Sequence, residues 1–109
     1  MKATLSYSQA DQNLARFAAA MGHPARIAIV RLLLHEGEHT CGQITEQIPL
    51  AQATVSQHLK ALRDANILSV RECGPCRCYK LEPTQIGNFC DAMQITLGRK
   101  TSPDKPAIL

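Results

Sequence analysis

No stretch of this sequence is apolar for long enough to span a bilayer. The longest run, Ile27 to Leu34, is broken by Arg31. Met1 to Gln12 lacks the hydrophobic stretch of a signal peptide, so export is not expected. The protein is therefore read as cytoplasmic, with no membrane partner. Tryptophan is absent, and the aromatic complement is two tyrosines and two phenylalanines. There is no internal repeat and no low-complexity tract. Nor is there a Ser-His-Asp arrangement, a phosphate loop or a carboxylate pair in a supporting context. A chain of 109 residues is bounded to one domain with a small core, too small for a deep substrate pocket, so an enzyme is not expected. Hydrophobic residues make up 45% and charged residues 19%, a globular rather than a disordered balance. The net charge of +3 is compatible with a polyanionic partner without demanding one. Five cysteines is an odd number, and without export they are expected as reduced thiols rather than a disulfide framework.

What is present centres on Ala51 to Ala65. Val55, Leu59 and Leu62 recur at helical spacing and turn one stripe to a core, leaving Ala53, Thr54, Gln57, Lys60 and Asp64 on the opposite side. The N-terminal half of that side is small, amide- or hydroxyl-bearing and free of acid. Such side chains enter a major groove and hydrogen-bond base edges. Upstream, Thr40 to Ile48 reads as a short helix, with Thr40 and Gln43 spaced as a capping box and Ile44 and Ile48 on one face. Two helices joined by the short linker Pro49-Leu50 form a helix-turn-helix with the second as reader. Downstream, Asn66 to Arg71 reads as a strand, Gly74-Pro75 as a turn and Arg77 to Leu81 as the returning strand. A hairpin after a reader helix is a wing, and Arg71, Arg77 and Lys80 suit it to phosphate or minor-groove contact.

The remaining elements flank this unit. Gln9 to Met21 is expected to be helical, with Leu14, Phe17, Ala18 and Met21 on one face. Gly22 ends it, and Pro24 opens a second helix to about Glu36. In that helix Ile27, Val30, Leu33 and Leu34 are expected inward, Arg26 and Arg31 outward. Pro83 starts a last helix whose stripe is Ile86, Phe89, Cys90, Met93 and Leu97. The fold class is mainly α with a small β-hairpin wing, a winged helix-turn-helix over residues 9–100. Residues 1–8 and 101–109 are expected to be mobile. So small a domain has little core for its first and last helices. Leu14, Phe17, Met21, Phe89 and Met93 are therefore expected at a twofold homodimer interface, placing two readers about 34 Å apart on a pseudo-palindromic site in double-stranded DNA.

Three motifs together, His23-Pro24-x-Arg26, Thr54-Val-Ser56-x-His58-Leu59-x-x-Leu62 and a Gly-containing wing ending in Tyr79-x-Leu81, resemble the ArsR/SmtB family of bacterial winged-helix repressors. The resemblance covers roughly Leu14 to Met93. It implies a homodimer built on the first and last helices, and operator binding released when a metal ion, metalloid or oxidant is sensed. It also implies DNA-reading positions at Gln52, Thr54, Ser56 and Gln57, joined by Lys60 on the same side, with Arg71 and Arg77 from the wing. Ala51 departs from the family's helix-capping serine. The family's arsenic-type Cys-x-Cys is not intact in Glu38 to Ile44, where Cys41 stands alone, and its zinc-type Asp, His and Glu site on the last helix is missing. The inducer therefore does not transfer.

Cys73, Cys76 and Cys78 fall within six residues. Three thiolates suit zinc with a fourth ligand such as a histidine, or arsenite, lead or mercury in a trigonal site. Alternatively, Cys73 and Cys76 close a disulfide across the turn as a redox switch. The pattern also allows strand-compatible filler. Cys76 and Cys78 are expected on one face of the returning strand and Cys73 across the turn, so converging all three needs a distorted hairpin. The Cys-Gly-Pro-Cys run resembles a thioredoxin site but lacks the βαβ context that chemistry needs. Cys90 reads as a core or dimer-interface cysteine, and Cys41 as facing the apolar side of the short helix. His58 reads as a packing or hydrogen-bonding residue, and His35 and His39 as belonging to a solvated loop or, alternatively, as completing a metal site. Two alternatives to a sensing repressor stay open: a constitutive regulator with structural cysteines, and a winged-helix docking module. Against the docking module, the reader's exposed side has no large apolar anchor.

Overall fold

The computed structural model describes residues 6–98, so the expectations for 1–5 and 101–109 lie outside the described residues. Helix α1 (Gln9–Met21) begins where Ser8 Oγ accepts the Asp11 amide at 3.0 Å. Helix α2 (Pro24–Glu36) is capped by His23, whose Nδ1 accepts the Ala25 amide at 3.0 Å, with Pro24 in the first turn. It ends at Gly37, whose φ of 82° an L side chain takes only with strain. The inward face of α2 agrees with expectation only in part: Leu33 is buried and Val30 half-buried against the core, but Ile29 is buried instead of Ile27 and Leu34, which are exposed. The helix is apolar around most of its circumference, so spacing alone does not select a face. Arg26 is not directed outward either. Its guanidinium donates to His58 Nδ1 at 3.1 Å and to the Ala20 carbonyl at 3.3 Å.

Strand β1 (His39–Thr40) leads into α3 (Cys41–Gln47). Here Thr40 Oγ1 accepts the Gln43 amide and Gln43 Oε1 accepts the Thr40 amide, at 3.1 and 2.9 Å, the reciprocal cap expected of this spacing. Helix α4 (Gln52–Asp64) buries Val55, Leu59 and Leu62 completely. Together with Ile29, Ile44 and Ile67 they form the centre of the core. Asn66 then takes φ 62° and reverses the chain, which removes it from the strand predicted to begin there. Strand β2 runs Leu68–Cys73 and returns as β3 (Cys76–Leu81), in register from Cys73↔Cys76 to Leu68↔Leu81. The turn between them is Gly74-Pro75, with Gly74 at φ 61°, the first-position geometry of a type II′ hairpin.

The sheet order is β1-β3-β2, all antiparallel. β1 was not anticipated: His39, read as part of a loop, pairs with Tyr79, and Thr40 pairs with Cys78. Helix α5 (Pro83–Thr96) lies against α1, where Phe17 and Phe89 stack at 4.1 Å between ring centroids. None of its residues is fully buried; Ile86 and Phe89 pack on the core, whereas Leu97, expected in the stripe, is exposed. Cys90, read as buried in a core or interface, is exposed in the single chain. Among the described residues, five helices and a three-stranded antiparallel sheet make a winged helix-turn-helix. No single helix among the described residues is long and apolar enough to cross a membrane.

Candidate nucleic-acid interface

The inward stripe of α4 fixes what faces out. With Val55, His58, Leu59 and Leu62 buried, Gln52, Ala53, Ser56, Gln57 and Lys60 are exposed, and Thr54 is half-buried. His58 Nδ1 accepts from Arg26 Nε, and its ring lies 4.5 Å from that of His23. Because the guanidinium is a permanent donor, this bond selects the neutral imidazole. Desolvation, reinforced by the charges of His23 and Arg26, pushes the His58 pKa down. His58 therefore positions α4 against α2 and does not face outward. Ala51 offers no side-chain cap, as its sequence implies.

The hairpin adds one arginine to this surface. The pleat puts Arg77 on the same ladder face as Tyr79. A groove of about 270 Å³ is lined by Ser56, Gln57, Lys60, Arg63, Arg77 and Tyr79. A wider concavity of about 800 Å³ continues past Gln52 and Ala53 toward Thr40 and Cys76. Lys60 is exposed, with Asp64 accepting its ammonium at 2.9 Å, and that contact holds the Asp64 carboxyl below the usual carboxylate range. Gln52, Ser56, Gln57, Lys60 and Arg77 thus border one continuous concave, cationic surface.

Arg71 stands elsewhere. It pairs in register with Cys78, on the opposite ladder face from Arg77. Its Nε and Nη2 donate to Glu38 Oε2 and Oε1 at 2.8 and 2.6 Å. This bidentate contact lowers the Glu38 pKa and raises that of Arg71. Sequence reasoning missed Glu38. It lies thirty-three positions from Arg71, and no local periodicity links the two.

The thiols depart from expectation in their pairing. Cys73 is bonded to Cys78 rather than to Cys76, with Cα atoms 6.2 Å apart, so these two are not the reduced thiols anticipated; Cys41, Cys76 and Cys90 are free. The register also puts Cys73, Cys76 and Cys78 on one face, and Cys73 reaches the buried Cys78 diagonally across the ladder while Cys76 is exposed. A carboxylate oxygen of Glu38 and the sulfurs of Cys73 and Cys78 all lie within 4.8 Å of one another. Among the described residues, Cys76 and the histidines do not join that group.

The sequence matches a helix-turn-helix domain family over residues 21–71. The biofilm growth-associated repressor of Xylella fastidiosa is 30% identical over 80 residues, covering 73% of this chain and 69% of that one. The chain belongs to the ArsR family. Another relative, the HTH-type transcriptional regulator Rv2034 of Mycobacterium tuberculosis, is 38% identical over 67 residues, and the match spans 62% of each chain, less than two thirds of that relative. An ArsR-like transcriptional regulator from Rhodococcus sp. RHA1 superposes with a TM-score of 0.74 at 16% identity, covering 84% of each chain, a likeness of fold.

In this ArsR-family chain the residues expected at a dimer interface fall together on α1 and α5. Leu14, Phe17 and Phe89 line a cleft of about 390 Å³ between the two helices, and Met21 and Met93 are half-buried. Further along α5 and beyond its end, Ile95 and Leu97 are 78% and 74% exposed. A single copy leaves these side chains uncovered.

Proposed function

We propose that the chain is a dimeric repressor that reads a pseudo-palindromic duplex with Gln52, Thr54, Ser56, Gln57 and Lys60 of α4, braced on phosphate by the wing, and that a thiol-redox change at Cys73 and Cys78 releases it. The observation that carries the DNA reading is the concave surface on which Ser56, Gln57, Lys60 and Arg77 converge from two elements. Side chains of this kind hydrogen-bond base edges and phosphates. A relative named a repressor supports the direction of control. The thiol signal is supported by the bond that ties β2 to β3, the two strands carrying Arg71 and Arg77. Making or breaking it acts on the wing directly, and loss of a few phosphate contacts cuts affinity steeply.

Fluorescence anisotropy on duplex from the chain's own upstream region, at increasing salt, tests the DNA reading. Expected is tight binding to an inverted repeat, weakened on a scrambled duplex and falling with salt. Equal affinity for both duplexes would remove sequence reading from α4.

A further inference from the structure

We propose that the base of the wing is a cation site: after the Cys73–Cys78 bond is reduced, Cys73, Cys78 and Glu38 hold a thiophilic divalent cation of the zinc and cadmium class. The inference rests on the wing being the controlled element of a DNA-binding regulator. The ligand atoms already lie within 4.8 Å of one another. Two thiolates on a tetrahedral zinc sit about 3.7 Å apart, from zinc–sulfur bonds of about 2.3 Å, so once the Cys73–Cys78 bond is reduced the two sulfurs need only move a short way apart. The backbone holds both sulfurs in place: they share one ladder face, diagonal across a tight turn, with Cα atoms 6.2 Å apart.

The donor set also argues for the cation's class. Two thiolates with one carboxylate suit a borderline-soft ion and leave a fourth position to solvent, while hard ions such as magnesium and calcium take all-oxygen shells. A trigonal all-sulfur site of the arsenite kind would need Cys76, which lies exposed and outside the group. Glu38 arrives as an ionised carboxylate, oriented by Arg71 through both guanidinium bonds. When one carboxylate oxygen ligates the cation, that bidentate grip becomes a single bond. The two-thiolate, one-carboxylate site with its divalent ion keeps one net negative charge, facing Arg71.

The chemistry balances with a low-molecular-weight dithiol as reductant. Its two S–H groups become its own disulfide, and the Cys73–Cys78 bond becomes two thiols. Two sulfur–metal bonds then form as two protons pass to solvent.

The full-length chain, reduced with a phosphine and freed of metal, is titrated with Co²⁺, whose visible bands report tetrahedral thiolate ligation, and then with Zn²⁺ in competition. Expected is one cation per chain, retained by Cys76→Ser, absent from the disulfide form and from Cys73→Ser. Affinity in Glu38→Gln, a substitution of a partly exposed side chain, is expected to fall by about tenfold or more. No Co²⁺ bands in the reduced chain, unchanged affinity in Glu38→Gln, or loss in Cys76→Ser equal to that in Cys73→Ser would each overturn the site. The titration contains no DNA, so its failure and a failure of operator binding are separate results.

Discussion

At the scale of residues, His58 serves placement from inside the reader helix. It is buried, neutral and bonded to Arg26, with its pKa depressed by desolvation. The unfolded chain, with an ordinary value of about 6.5, therefore binds more protons in the window below that value. Stability from this group is full above about pH 6.5 and falls as pH drops toward the folded pKa. Urea denaturation at about pH 7.5 and about pH 5.5 should show lower stability at the acid end, and His58→Gln, which keeps an acceptor for Arg26, should shrink the difference. His58→Ala should cost about 1–3 kcal/mol by stranding the Arg26 donor. The two wing arginines should also separate. Arg77→Ala should lower the slope of log affinity against log salt by about one. Arg71→Ala should change it less, because Glu38 already holds that guanidinium. Arg71 and Arg77 look alike in the sequence; strand register and one acid thirty-three positions away distinguish them.

At the scale of elements, the signals that were legible are those set within a few residues. The bounds of α1, the reciprocal Thr40–Gln43 cap of α3 and the Gly74-Pro75 turn depend on capping and turn chemistry that neighbours decide. The features that were not legible depend on distant partners. β1 is only two residues long and exists because β3 lies alongside it. The buried face of α2 is chosen by the helices it packs against, and Cys73 joins Cys78 because pleating makes the diagonal partner available. α4 begins without a side-chain cap, so Ala51→Ser should raise stability by about 0.5–2 kcal/mol, read as a higher thermal midpoint. Its buried stripe supports the whole reader, and Leu59→Ala, at a fully buried position, should cost about 2–5 kcal/mol in urea denaturation.

At the scale of the molecule, the proposed function gives α4, the wing and the α1/α5 pair separable tasks. The proposed dimer covers the outward face of α5, so Met93→Glu should shift sedimentation from dimer to monomer and weaken binding to an inverted repeat far more than to a half-site. The central claim is that the state of the wing thiols sets occupancy of the operator. Its most direct measurement is anisotropy on the upstream duplex, made with reduced protein, with protein after a disulfide-forming oxidant, and with Cys73→Ser under both conditions. Expected is tight binding when reduced, about tenfold or weaker binding once the Cys73–Cys78 bond forms, and tight binding by the serine variant throughout. Identical affinity for the reduced and oxidised wild-type chain would contradict that claim.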